Sequence, residues 1–238
     1  MTQHAQIHNL ELVRTAAERL GSRTAGLPGM AVLYAPAGYG KTTAALAVAN
    51  ENRSYFVQMR SAWSRKTLLE KVLAEMSIRA SGTIPQMLDQ VCTQLAASGR
   101  MLIIDEFDYC VRNDNMIELV RDIYEGSQAT LLLLGEELLP QKLKKWERFH
   151  SRVLSWIPAQ PVSLADARLL APIYCPHVRV ADEMLGHLVK LSAGSVRRVS
   201  VNLAGVAETA AIEGWDTVTL DIWAGRPLYT GDAPRRGV

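Results

Sequence analysis

The run Ala35-Pro36-Ala37-Gly38-Tyr39-Gly40-Lys41-Thr42 holds residue types that together grip phosphate. A phosphate loop reads G-x-x-x-x-G-K-[ST] between a strand and a helix, and here only its first glycine is replaced, by Ala35. Glycines at 38 and 40 free the backbone for dihedrals that turn successive N–H groups inward, and their missing side chains let phosphate oxygens approach. The helix opening near Lys41 adds the positive end of its dipole. Lys41 supplies a point charge to β- and γ-phosphates and Thr42 a hydroxyl for Mg²⁺, while Pro36, Ala37, Tyr39 and Thr43 complete the contacting run. The opening glycine mainly eases the turn out of the strand, and alanine is the smallest alternative, so Ala35 is expected to be tolerated.

"MLIIDEFD" places Asp105 and Glu106 at the end of an apolar strand later in the chain. Asp105 is positioned to hold Mg²⁺ through water, as the acid in this strand does in phosphate-loop enzymes. Glu106 beside it is suited to polarise an attacking water as a general base. Alone, two acids capping a strand could simply be solvated; behind a phosphate loop, in this order, they argue for ATP with Mg²⁺.

These residues need a scaffold that alternates strand and helix. Apolar runs "MAVLYA", "SYFVQM", "RMLIIDE", "ATLLLLG" and "SRVLSWIP" read as strands, separated by helical patterns. An amphipathic helix over 5–20 precedes them, and after "PAQP" only helices are expected. The reading is α/β: a five-stranded parallel sheet flanked by helices, with a small C-terminal all-helical lid. It divides into an N-terminal helix (1–25), a core (26–160), a lid (161–225) and a loose tail (226–238). A hydrophobic fraction of 48% with 21% charged residues is that of a soluble globular chain, and no apolar run is long enough to span a bilayer. No signal peptide is visible at the N-terminus, so a cytoplasmic location is expected. Three scattered cysteines, Cys92, Cys110 and Cys175, favour free thiols over a disulfide framework, and Cys175 with His177 is too little for a zinc site.

The order of these features resembles the AAA+ ATPases. In that family an arginine just before the fifth strand reaches the ATP of a neighbouring subunit; Arg152 matches that position, with Arg148 in reserve. A lid arginine in a G-x-x-R setting resembles the residue called sensor 2, here Arg197 after Gly194, with Arg198 one position away. Either arginine would stabilise charge on the transferred phosphoryl group with a permanent planar cation. The fourth strand usually ends in a polar residue that orients water, but "LLLLGEE" has Gly135 there, from which slow hydrolysis is expected.

Within that family the compact size, "GEE" and "SRV" resemble the target-capture ATPases of DNA transposition: the B protein of Mu-like transposing phages and relatives in bacterial transposons. The resemblance implies ATP-dependent helical filaments on double-stranded DNA, ATP at the interfaces of a homo-oligomer, a transposase as partner, and the cytoplasm of a bacterial host. The Mu protein also carries an N-terminal helix-turn-helix domain, for which too few residues precede the phosphate loop, so DNA contacts are expected from the core. Arg60, Arg65 and Lys66 around Trp63 are the preferred set, and Lys144 and Lys145, with Lys142, flank Trp146. Such contacts would be sequence-independent and salt-sensitive. The plainer alternative for both groups is a solvated charged face over packed tryptophans. The net charge of +2 does not choose between them. The phosphate loop also resembles that of signal-transduction ATPases, so a switch acting on a protein partner without DNA is the alternative reading.

Overall fold

The computed structural model describes residues 5–232, which divide into two compact units. A sheet unit comprises Leu10–Pro36 and Lys41–Ala159; a helical unit comprises residues 5–9, 37–40 and 160–232.

In the sheet unit, α1 (His8–Gly21, from Leu10 onward) is followed by β1 (Met30–Tyr34), α2 (Lys41–Asn52), β2 (Tyr55–Gln58), α3 (Arg65–Glu75) and α4 (Ile84–Ser98). Then come β3 (Leu102–Asp105), a 3₁₀ turn (Phe107–Arg112), α5 (Asp114–Ser127), β4 (Leu131–Gly135), α6 (Leu139–Leu143), α7 (Glu147–His150) and β5 (Val153–Pro158). The five strands are all parallel in the order β2-β3-β4-β1-β5. Parallel strands need crossovers, and helices on the faces bury both sides of the sheet. That is why the central strands are unbroken apolar runs: Ala31 to Leu33, Leu102 to Ile104 and Leu131 to Leu134 are all fully buried. Edge strand β5 is only half-buried.

Local chemistry sets the helix ends. Ser64 caps α3 by accepting from the Thr67 N–H, and the Gln86 side chain accepts from the Thr83 N–H (2.8 Å) at the start of α4, whose first turn holds Pro85. The alanine face of α2, Ala44, Ala45, Ala47 and Ala49 with Val48, lets its backbone lie close to the core. Phe107 and Phe149, both fully buried, stack at 5.7 Å and anchor the 3₁₀ turn and α7. Between β4 and β5 the helical pattern is met by two short helices, α6 and α7, separated at Lys144–Trp146. The expected amphipathic helix buries Leu10, Val13, Ala17 and Leu20, and Arg14 pairs with Glu51 of α2 (2.8 Å).

The helical unit contains α8 (Leu164–Tyr174), α9 (Asp182–Leu191), α10 (Val196–Glu213) and α11 (Leu220–Trp223). To these it adds a pairing that the sequence did not suggest: β6 (Arg179–Val180) runs parallel to β7 (Thr217–Val218). Two residues per strand are too short to show alternation. In the segment expected to be loose from 226 onward, described residues make side-chain contacts. Buried Asn202 donates to the Tyr229 carbonyl (2.9 Å) and accepts its N–H (2.7 Å), and Arg226 stacks on Trp215 at 4.8 Å. Residues 233–238 of that expected tail lie outside the described residues. No described helix is long and apolar enough to cross a membrane.

Asn202→Ala would leave both backbone groups of Tyr229 without their side-chain partner. We expect a loss of about 1–3 kcal/mol in urea denaturation, with faster amide exchange at Tyr229.

Candidate nucleotide-binding site

In the sheet unit, β1 ends at Tyr34 and the buried Ala35 leads out of it, its N–H donating to the Gly135 carbonyl at 3.5 Å. Ala35 is not among the residues with positive φ. Nothing in its backbone therefore calls for glycine, which explains the departure from the motif. Gly38 and Gly40 are different: their φ values are +86° and +81°, in the left-handed region where glycine is at ease.

Lys41 and Thr42 open α2. The Lys41 ammonium donates to the carbonyls of Ala35 (2.7 Å) and Pro36 (2.9 Å). Burial pulls its pKa down, and the charges of Asp105, Glu106, Asp108 and Glu136 oppose that pull. The Thr42 hydroxyl donates to Asp105 Oδ2 at 2.7 Å. Asp105 is buried at the end of β3, and its Oδ1 accepts the Glu106 N–H at 2.8 Å. The Gln58 amide, ending β2, reaches the same carboxylate at 3.4 Å. Glu106 itself has left-handed backbone (φ 55°, ψ 40°), a conformation that costs a non-glycine residue about 1–3 kcal/mol. Its carboxyl pKa is raised, first by burial and then by the charge of Asp105, with Lys41 opposing.

In the helical unit, the loop segment 37–40 meets the start of α10. The Gly38 carbonyl accepts from the Arg197 N–H (3.1 Å) and the Ser195 hydroxyl (3.5 Å), and the Tyr39 carbonyl accepts from Asn9 (2.9 Å). A Cβ at Gly38 would lie 2.5 Å from Ser195 Oγ, so crowding as well as φ demands glycine there. Of the two adjacent arginines, Arg197 is exposed beside Gly38, whereas the guanidinium of Arg198 packs against Gly231. Ser195, Asn9 and Gln58 escaped the sequence reading. Asn9 had a signal, as a polar residue amid the apolar spacing of α1.

These residues fit ATP with Mg²⁺. Thr42 and Asp105 in the sheet unit supply one hydroxyl and one buried carboxylate, hard oxygen donors of the kind that bind Mg²⁺ together with phosphates and water. Among the described residues no group of three or more His, Cys, Asp or Glu side chains could form a metal cage of its own.

Arg152 lies at the other end of the strands, where its carbonyl accepts from the N–H of Met30, the first residue of β1. Its guanidinium pairs with Glu125 at 2.5 Å, whereas Arg148 is exposed and has no ion pair among the described residues. The basic groups also separate. Arg60 and Arg65 are exposed without ion pairs among the described residues, and exposed Lys66 stands 3.8 Å from Glu70. Trp63 packs half-buried against the core. Lys145 is held by Asp114 (2.8 Å) and the Trp146 ring, and Lys142 by Asp108 (2.6 Å), leaving Lys144 exposed and without an ion pair among the described residues.

The fold and this site define an AAA domain, and a family model of that description matches residues 24–143. The chain belongs to this family, whose members use ATP with Mg²⁺. It is 26% identical over 195 residues to the replication factor C large subunit of Sulfolobus acidocaldarius, covering 80% of this chain and 40% of that protein. Among solved structures it is similar to Aeropyrum pernix ORC1 in complex with DNA (TM-score 0.64, 18% identity, 92% of this chain and 65% of that one). A. pernix ORC2, solved as ADPNP–ADP complexes, gives 0.63 at 19% identity, with 90% of this chain and 65% of that one covered. The Thermotoga maritima RuvB branch migration motor gives 0.61 at 20% identity, covering 91% of this chain and 67% of that one. At these identities the structures establish the fold. The chain spans 40% of the curated relative's length.

Gly38→Ala should weaken binding of a fluorescent ATP analogue by about fivefold to a hundredfold, since strain of about 1–3 kcal/mol enters the loop. Ala35→Gly should leave that affinity unchanged, because alanine fits the backbone there.

Proposed function

We propose that the chain is a Mg²⁺-dependent ATPase that binds double-stranded DNA without sequence preference and assembles on it with ATP between subunits. In this reading the phosphate loop and Lys41 bind the phosphates, Thr42 and Asp105 hold the metal, and Glu106 takes the proton of the attacking water. Bound Mg²⁺ would supply neutralisation of phosphate charge. Of the two lid arginines, Arg197 is assigned to the phosphates, because its N–H donates to the carbonyl of Gly38 in the loop. Arg152 and Arg148, at the opposite end of the strands, suit a role toward a neighbouring copy.

One observation supports the DNA assignment: Arg60 and Arg65, without ion pairs among the described residues, follow the strand whose end meets Asp105. Met59 donates its N–H to the Asp105 carbonyl (3.0 Å), and the next residue is Arg60, opening the loop to Arg65. A change at Asp105 is therefore one peptide away from the cationic loop. The names of the relatives, a replication factor and an ORC1 protein solved with DNA, agree with this direction. The finer reading is capture of target DNA for a transposase by a filament; it rests on the resemblance in "GEE", "SRV" and compact size. Loss of the bridging ATP would destabilise the subunit interface and release the DNA.

Fluorescence anisotropy of a labelled random-sequence duplex should show tight binding with a non-hydrolysable ATP analogue and little with ADP. Arg60→Glu with Arg65→Glu should lower the log–log salt slope by about 2. No DNA binding in any nucleotide state, with nucleotide affinity intact, would leave a switch acting on a protein partner. Mixing Lys41→Ala subunits with Arg152→Ala or Arg148→Ala subunits should restore part of the turnover only for the arginine that acts across the interface, read by phosphate release.

A further inference from the structure

Gly135 closes β4 without the polar side chain expected there, yet the space such a side chain would fill is not free. A Cβ at 135 would lie 2.5 Å from Asp108 Oδ2 and 2.4 Å from Leu139 Cδ2. Asp108 comes from the 3₁₀ turn, two residues after Glu106, and is 6% exposed. Its Oδ2 accepts the Glu136 N–H at 2.6 Å and its Oδ1 the Lys142 ammonium at 2.6 Å. These are short charge-assisted bonds. Only the carboxylate of this pair is buried, and a buried carboxylate costs desolvation unless its oxygens are satisfied, as both are here.

The arrangement bears on Glu106. Its left-handed backbone is held from the N-terminal side by Asp105, through the bond to the Glu106 N–H. From the C-terminal side it is held by Phe107, fully buried against Phe149, and then by Asp108. We propose that Asp108, with Lys142 as its counter-ion, is the positioning residue that stands in for the missing polar group at the end of β4: it locks the turn after Gly135 to the turn after Glu106. The charge of Asp108 reaches both Lys41 and Glu106. Gly135 is then not a defect but the opening that admits the carboxylate. The inference rests on the ATPase reading above.

The test is steady-state ATP turnover together with affinity for the non-hydrolysable analogue, on the full chain. Asp108→Asn and Lys142→Met should each lower kcat by about tenfold or more, as expected for a misplaced general base, with analogue affinity changed less than about twofold. The double variant should be no worse than Asp108→Asn alone, because the pair acts as one unit. Gly135→Ser should lose turnover in the wild-type background. Its analogue affinity should stay within about twofold, whereas a merely structural Asp108 would move affinity and turnover together. Unchanged kcat in Asp108→Asn, while Glu106→Gln abolishes turnover, would overturn the proposal and spare the ATPase reading. No turnover in the unaltered chain would overturn both. If Asp108→Asn fails to fold by thermal melting, Lys142→Met decides: its side chain is 40% exposed, and an unchanged kcat there overturns the proposal.

Discussion

The Asp105 carboxylate is the interaction on which the sheet unit's chemistry depends. It is buried at the end of a central strand and takes the Thr42 hydroxyl and the Gln58 amide on one oxygen and the Glu106 N–H on the other. A charge removed from water is tolerable only when its lone pairs are satisfied. Here the satisfying groups come from α2, from β2 and from the residue that follows β3. One carboxylate therefore registers the helix that carries Lys41, the strand that leads to the cationic loop and the glutamate suited to act as base.

Around it the charges are arranged in opposition. Lys41 is depressed by burial and supported by four carboxylates, while Glu106 is raised by burial and by Asp105. Such mutual coupling is usual where titratable groups share a partly buried cleft intended for a charged ligand. It also explains why Asp108 keeps its own counter-ion. Without Lys142, the site would hold another uncompensated buried acid beside Asp105 and Glu106.

Much of this was legible from local pattern. Five strand runs alternating with helical repeats leave few topologies other than a parallel sheet, and the phosphate loop and the "DE" pair name their own positions. The boundaries that failed did so for local reasons. Two-residue strands β6 and β7 carry no periodicity, and α6 and α7 are too short to separate from one helix by spacing alone. The tail escaped because its anchor, Asn202, lies 27 residues before Tyr229 on a helix whose pattern looks ordinary.

The amino-acid sequence by itself determined the alternation of strand and helix through β5 and the need for glycine at 38 and 40, and it singled out Lys41, Thr42, Asp105 and Glu106 as candidates, because these depend on residue type and near-neighbour spacing. The tertiary structure decided matters that depend on residues far apart in the chain. It showed that Ala35 needs no left-handed backbone, that Arg197 rather than Arg198 lies at Gly38, and that Lys142 and Lys145 are bound to acids while Arg60 and Arg65 have no ion pair among the described residues. It also set Asp108 against Gly135 and Glu136, 28 residues away from the latter, and Asn9 against Gln160 across 151 residues. The physical reason is that a hydrogen bond or a clash is fixed by a few tenths of an ångström between side chains brought together by folding. No pattern along the chain encodes that distance.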